Sequence, residues 1–423
     1  MKQSTALKIL LEGRNAFLTG SAGSGKTYTL NKFISEAQKA NKRVGITAST
    51  GIAATHIEGQ TIHAFSGLGI LNELPEGFFE KWAFKKFKAP QIRSIDILVL
   101  DEISMLQCHQ FELVDQIFRK VRRKNLPFGG VQVVLCGDFF QLPPISSSPN
   151  QRAQFVSTSR SWDDLDLAIC YLTEQHRQAD DNYVQILENL RSGTLTKLHK
   201  SLLDSRIQQV TIDDDITHLY TRNLNVSGHN RMKLGKLEAS KFTYVMKSSG
   251  DKWIVESLKR NCLASERLEL KKGALVIALK NDPEGDYVNG SRGIVTGFEK
   301  SKDSEVALAR VELLDGTEHV FTPSSWNITD QERIVASITQ VPLQLAWAIT
   351  IHKSQGMTLD SAYIDLSNAF EMGMGYVALS RLRSLDGLFL RGYNSIALQV
   401  SPDAMELDIY LRERSVLLEK LYA

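Results

Sequence analysis

The sequence predicts an α/β fold of two domains, each built on a parallel sheet, and three observations carry that prediction. First, apolar runs of strand length recur between helix-like stretches: 16–19, 43–49, 95–100 and 131–136. Runs without polar alternation suit strands covered on both faces, and strand alternating with helix builds a parallel sheet. Second, a new strand and helix series starts at 216–220 and closes with 362–366 and 387–390. Third, short strands take over from Leu268, at 274–279, 293–298, 307–314 and 319–326, with hairpin-type turns at Asn289-Gly290 and Asp315-Gly316. That stretch reads as a small β-barrel inserted in the second α/β domain. A chain of 423 residues has room for about three domains of roughly 150 residues.

The first strand run empties directly into Gly20-Ser21-Ala22-Gly23-Ser24-Gly25-Lys26-Thr27, and a helix-like run follows. The glycines let the backbone curl until consecutive N–H groups point at one anion. The helix beginning near Gly25 adds its positive end, Lys26 reaches the outer phosphates, and the Thr27 hydroxyl is placed to ligate Mg²⁺. The loop specifies a nucleoside triphosphate and leaves kinase, transporter and motor open. Ahead of it, apolar residues from Ala6 to Leu11 give a short helix with Gln3 just before it. A glutamine there suits an adenine edge, by a paired donor and acceptor, as well as it suits an exposed terminus.

The run at 95–100 closes with Asp101-Glu102. After a phosphate loop, such a pair divides the labour of hydrolysis. Asp101 holds Mg²⁺ through water, while Glu102 orients and polarises the attacking water. The next strand ends in Gly137-Asp138-Phe139-Phe140-Gln141-Leu142-Pro143-Pro144. There Gln141 is delivered where it can sense a γ-phosphate, and the prolines stiffen the loop. Arg381 is so distant in sequence that it reaches a nucleotide only across a domain cleft; otherwise it is a surface arginine on a helix.

Other segments fit nucleic acid or plain structure. Small hydroxyls at 47–50 and in the helix start Thr61-Ile62-His63-Ala64-Phe65 suit a phosphate backbone, and equally suit helix caps. In the segment 67–92, Phe78, Phe79, Trp82, Phe84 and Phe87 are interleaved with Lys81, Lys85, Lys86 and Lys88. They can stack bases among phosphates or form a small subdomain's core with a solvated rim. Arg119, Arg122, Arg123 and Lys124 read as a solvated helix end placed favourably against the dipole.

Composition narrows the classes. The net charge of +2 leaves nucleic-acid contact to local clusters. Cys108, Cys136, Cys170 and Cys262 are widely spaced, without a CxxC pair, and read as reduced thiols rather than metal ligands. No apolar stretch approaches the ~20 residues of a membrane helix, and the amino terminus lacks a targeting pattern.

GSAGSGKT, TASTGIAA, TIHAFSG, DEISML, GDFFQLPP, EQHRQ, ITIHKSQGMTLD and YVALSRLRSLDGL together resemble the superfamily-one DNA helicases. Within them the set is similar to the petite-integration-frequency (PIF) family and its RecD-like relatives, in the family's order and over nearly the whole chain. The resemblance implies two RecA-like P-loop NTPase domains, with a small insertion in the first and an SH3-like β-barrel in the second. The boundaries it suggests are 1–66 with 92–171, 67–91 for the wedge insertion, 172–285 with 339–423, and 286–338 for the barrel. It implies an ATP-driven, Mg²⁺-dependent motor moving 5′ to 3′ on single-stranded DNA and opening forked or tailed duplex. The alternatives are a translocase subunit of a larger complex and a nucleotide-gated clamp on single strands.

Residue by residue, the resemblance puts Gln3 on adenine, and the loop 20–27 with Tyr28 and Gly356 on the nucleotide. It makes Lys26, Asp101, Glu102, Gln141, Arg177 and Arg381 the catalytic set. Thr47, Ser49, Thr50, Thr61, His63, Phe65, Asn289, His352 and Lys353 then face DNA. One departure is His176 in EQHRQ, where relatives often carry an apolar residue; it bears on local packing rather than on Arg177. G-quadruplex DNA joins the implied partners, with roles in repair, recombination, replication support and telomere maintenance. The expected setting is a monomeric, cytoplasmic bacterial or viral core enzyme.

Overall fold

The computed structural model describes residues 1–69, 71–81, 84–144, 154–178, 180–208, 216–280, 282, 286–287, 289–299, 307–330 and 333–422. The chain forms two units, one of Met1–Arg177 with Val400–Ala423 and one of Gln178–Gln399.

The first unit is organised on six strands: β1 (Ala16–Gly20), β2 (Val44–Ala48), β3 (Gln60–Thr61), β4 (Ile97–Asp101), β5 (Gln132–Cys136) and β6 (Ala168–Leu172). They lie in the order β3-β2-β4-β5-β1-β6, every pair parallel. Strands β1, β4 and β6 are buried along their whole length, as their unbroken apolar runs require. The helix Lys26–Lys39 packs Leu30, Phe33, Ile34 and Ala37 onto Leu18, Val99, Val134 and Cys170 of the sheet. That spacing of three, one and three residues is the apolar stripe of a helix on a sheet.

The helix Pro402–Glu419 packs on β6 at the sheet's edge. Ser415 Oγ accepts the Tyr171 N–H at 3.1 Å, Tyr171 Oη donates to Asp408 at 2.8 Å, and Arg412 stands 4.4 Å from the Tyr171 ring centroid. An edge strand's free N–H is thereby answered. The carboxyl-terminal residues, expected with the second domain, thus belong to the first unit.

In the 67–91 segment the aromatic residues pack on one another. Phe78 meets Phe84 at 4.9 Å and Phe79 at 5.2 Å, with Lys81 over Phe78 at 5.6 Å. Phe78 and Phe84 are buried, which makes this a core, while Phe87 is exposed; Trp82 lies outside the described residues. The basic helix end is also tied down. Arg119 pairs with Asp115 and Asp164 at 2.9 Å each, and Arg122 Nη1 donates to three carbonyls, of Ile92, Arg93 and Ile95.

The second unit opens with β7 (Thr217–Tyr220) and the helix Asn223–Lys236. An antiparallel region follows: β8 (Lys241–Val245), β9 (Lys247–Gly250), β10 (Arg267–Lys271), β11 (Leu275–Ala278), β12 (Arg292–Glu299), β13 (Leu308–Leu313), β14 (Glu318–Phe321), β15 (Ser324–Asp330), β16 (Arg333–Gln340) and β17 (Leu343–Leu345). These make sheets β14-β13-β12-β11-β17, β15-β16-β9 and β10-β8. The parallel pattern then resumes with β18 (Ala348–Thr350), β19 (Ala362–Leu366) and β20 (Leu388–Tyr393), in the order β18-β7-β19-β20. The inserted antiparallel region therefore starts near Lys241 rather than at 286, because β8 mixes polar and apolar residues over only five positions and β9 is polar and exposed throughout, so neither shows an apolar run. Among the described residues no helix is long and apolar enough to cross a membrane.

Candidate functional site

Strand β1 lies between β5 and the edge strand β6, so its carboxyl end opens on the first sheet's rim one strand in from that edge. Gly20 pairs with Leu172, and a Cβ on it would stand 2.6 Å from the Leu172 carbonyl oxygen, so only glycine lets β6 come this close. Gly25, at φ 84° and ψ 23°, turns the chain into the helix Lys26–Lys39. Lys26 Nζ donates to the carbonyls of Gly20 at 2.9 Å and Ser21 at 3.0 Å, which fixes the ammonium over the loop. The Ser24 hydroxyl is fully buried without a partner among the described residues, while Thr27 and Tyr28 on the helix's first turn are exposed.

The back of the loop is lined by the segment leaving β6. Gln175 Nε2 donates to the Ala22 carbonyl at 3.2 Å, and the His176 N–H to the Gly23 carbonyl at 3.0 Å. Glu174 accepts the Gln3 N–H at 2.7 Å, and Gln3 Nε2 donates to the Ser24 carbonyl at 3.2 Å. Gln3 thus rests on the loop itself, and half-buried Arg177 follows directly. Because β1 and β6 are parallel neighbours, the chain leaving one must run beside the chain leaving the other. That signal could have marked Glu174 and Gln175, which the sequence reading did not single out as site residues.

Asp101 closes β4 at 7% exposure, and its Oδ1 accepts the Glu102 N–H at 2.8 Å. Burial pushes its carboxyl up, against the Cys136 thiol, the Glu102 N–H and the Lys26 charge, which favour the carboxylate. Glu102 holds a left-handed backbone, φ 51° and ψ 46°, unusual for a side chain of its size. Ser49 secures it: its Oγ donates to the Glu102 carbonyl at 2.6 Å and its N–H to the Asp101 carbonyl at 3.0 Å. Gln141 is 6% exposed, its N–H bonded to the Asp138 carbonyl at 3.0 Å and its Nε2 3.5 Å from Asp138 Oδ2.

The residues expected to face DNA divide. Thr47 is fully buried and donates its hydroxyl to the Val99 carbonyl at 2.6 Å, so it is a sheet residue. Phe65, 2% exposed and stacked on Phe118 at 6.3 Å, is core. Ser49, 8% exposed, serves Glu102 instead of facing outward. Thr50 and Thr61 accept the N–H groups of Ala53 and Ala64 at 3.3 and 3.2 Å as helix caps, yet remain half-exposed. His63 Nε2 lies 3.1 Å from Gln110 Oε1, and burial lowers its pKa, so the ring is neutral near pH 7.

In the second unit, His352 and Lys353 sit half-buried on the turn after β18, and Gly356 is exposed there at φ 81°. Asn289 is half-buried in the turn before β12. Arg381 is no surface arginine: it is 2% exposed, with Nε on the Val377 carbonyl and Nη2 on Ser380 Oγ, both at 2.9 Å.

A glycine loop at the mouth of an interior parallel strand, an ammonium fixed over it and, across β5, a carboxylate pair of buried Asp101 and half-buried Glu102 define a phosphate-loop nucleotide-binding protein. The chain belongs to the PIF1-like helicase family. A profile of that family, described as PIF1-like helicase, matches residues 3–209, and the DNA helicase Pif1 2B domain matches 254–298. The chain is 41% identical to an ATP-dependent DNA helicase Pif1 of Psychrobacter, over 98% of itself and 71% of that relative. It is 35% identical to that of Bdellovibrio bacteriovorus, covering 96% and 90%, and 38% identical to that of Xenopus laevis, where it spans only 63% of the relative. Among solved structures, Bacteroides Pif1 in complex with ADP-AlF4 superposes with a TM-score of 0.83 at 29% identity, over 97% of this chain and 96% of that one. Bacteroides Pif1 bound to single-stranded DNA gives 0.66 at 30%, with the same coverage. These neighbours make the parallel sheets those of two RecA-like domains, the second carrying the antiparallel insertion.

Proposed function

We propose that the chain is an ATP-dependent DNA helicase that moves 5′ to 3′ along single-stranded DNA and separates the duplex ahead of it. The observation that carries the reading is the Lys26 loop on the rim that also holds Asp101 and Glu102, with Ser49 bracing the pair. Thr27 and Asp101 offer only oxygen donors, which suits a hard cation, and Mg²⁺ held there offsets phosphate charge.

Lys26 neutralises the outer phosphates, and Glu102 polarises the attacking water from a backbone that Ser49 keeps aimed. Gln141 senses the γ-phosphate, Gln3 meets the adenine edge, and Arg177 and Arg381 are the cations for the transition-state charge. Thr50, Thr61, His63, Asn289, His352 and Lys353 remain the contacts proposed for DNA. The partners are single strands and forked or tailed duplex, with G-quadruplex DNA included, acted on by a monomer. A cytoplasmic bacterial or viral setting is part of the reading, and the four free cysteines fit it.

Strand separation on two partial duplexes, one with a 5′ and one with a 3′ single-stranded tail, tests this, with Lys26→Ala as the control. ATP-dependent opening from the 5′ tail alone, lost in the variant, is the expected result. Opening from the 3′ tail alone overturns the direction. Hydrolysis stimulated by single strands without any opening replaces the helicase by a translocase subunit or a clamp.

A further inference from the structure

Phe370 is an aromatic ring left 49% exposed, and nothing in the sequence reading used it. A single exposed apolar side chain is ordinary. Its surroundings are not. The His352 ring lies nearly parallel to it, at 17°, with centroids 6.4 Å apart, and the Arg222 guanidinium carbon stands 5.5 Å from its centroid. The three side chains come from three separate loops, following β7, β18 and β19, which are adjacent in the sheet. They meet at its carboxyl rim, where open α/β sheets bind ligands.

The loop holding Phe370 is fixed on both sides. The Ala369 N–H donates to the Leu366 carbonyl at 3.1 Å, Asn394 Nδ2 donates to the Ala369 carbonyl at 2.7 Å, and the Gly373 N–H donates to the Gln399 carbonyl at 2.9 Å. The ring is therefore presented from an anchored backbone. A centroid separation of 6.4 Å between near-parallel rings lies within the range of offset aromatic pairs, so His352 braces the Phe370 ring while half of its surface stays exposed for a base. Beside His352, Lys353 lines a cavity of about 300 Å³ with Arg231; the cavity's third cation, Arg267, is paired with its one acid, Glu269, at 3.1 Å. Stacking surface and phosphate-binding charge thus occur together, the combination that holds single strands without reading sequence.

We propose that Phe370 is the stacking platform for one nucleobase of a bound single strand, flanked by His352 and Arg222, with Lys353 and Arg231 receiving the adjoining phosphates. The proposal rests on the helicase reading above, and extends it to a residue that no motif of the sequence had marked.

Anisotropy titration of the full chain tests it, using labelled oligothymidylate and a strand of equal length whose sugars carry no bases. The unmodified protein is expected to bind thymidylate more tightly. Phe370→Ala should weaken thymidylate binding roughly five- to hundredfold, the value of one base on an aromatic ring, and leave the abasic strand unchanged. Phe370→Leu should behave like alanine, whereas Phe370→Trp should keep the affinity and show indole quenching on binding. Equal loss on both strands, full binding by the leucine variant, or an unquenched tryptophan overturns the platform while leaving the helicase standing. Failure of the unmodified protein to bind either strand overturns the helicase reading and the platform with it.

Discussion

The two parallel sheets use the same rim in opposite ways. In the first unit, β1 opens into a glycine loop, and an anion there meets backbone N–H groups and a helix start at Gly25. In the second, β7 opens into Thr221-Arg222-Asn223, with Arg222 extended at φ −135°, and the rim is furnished with side chains: Arg222, His352, Lys353 and Phe370. Main-chain recognition suits one invariant ligand, a triphosphate. Side-chain recognition suits a ligand whose bases vary along its length. On the proposed reading, a single scaffold serves fuel in one copy and track in the other.

On the proposed reading most of the turnover machinery lies in the first unit, with Arg381 the exception, and that contrast can be broken. Glu102→Gln should lower ATP turnover about 10²- to 10⁴-fold with nucleotide binding kept, the range for losing a general base; steady-state hydrolysis and nucleotide titration read the two separately. Arg381→Lys, a change in the second unit, should cost about 10²-fold in kcat, because lysine keeps the charge and loses the planar fork. Normal turnover in that variant would confine the chemistry to the first unit. Ser49→Ala should reduce kcat roughly three- to tenfold at unchanged KM for ATP, the scale of one hydrogen bond; a strand-affinity loss instead would return Ser49 to the DNA-facing set.

The smallest expected effect concerns stability. His218 is 3% exposed on β7, and burial, with His229 and Lys233 nearby, lowers its pKa from 6.5 to about 4. The unfolded chain takes up the proton first as pH falls, so the stabilisation is full above 6.5 and fades toward about 4. Melting at about pH 5 should come a few °C below that at about pH 7, and His218→Gln should flatten the difference.

The loop, the carboxylate pair and both parallel series were legible because each rests on local spacing: glycines at fixed offsets and unbroken apolar runs. Facing was harder to read. Thr47 belongs to a strand with neighbours on both sides, β3 and β4, and its hydroxyl found Val99 before it could find a ligand. Phe65 shares its buried face with Ile62 and Ser66, so the helical period alone could have assigned it to the core. The antiparallel region began earlier than expected because β9 is exposed at every residue and carries no hydrophobic signature. The helix Pro402–Glu419 has apolar residues all round, so no stripe disclosed which sheet it covers. Phe370 is invisible to pattern, since its meaning comes from loops that follow three different strands.

The contact between Ser415 and Tyr171 has a consequence for how the chain is born. Strand β6 leaves the ribosome early, but the helix that covers its edge arrives 244 residues later. At roughly 5–20 residues per second, that is an interval of about 12–50 s. Throughout it the β6 edge is covered only in part, by Met1, whose amino group donates to the Tyr171 carbonyl at 2.8 Å and whose carbonyl accepts the Thr173 N–H at 3.2 Å, and the segment that backs the phosphate loop hangs from that strand. Nascent chains should therefore gain full nucleotide affinity late, after the second unit has been made, and the waiting edge is the place where a chaperone or a neighbouring chain would intervene.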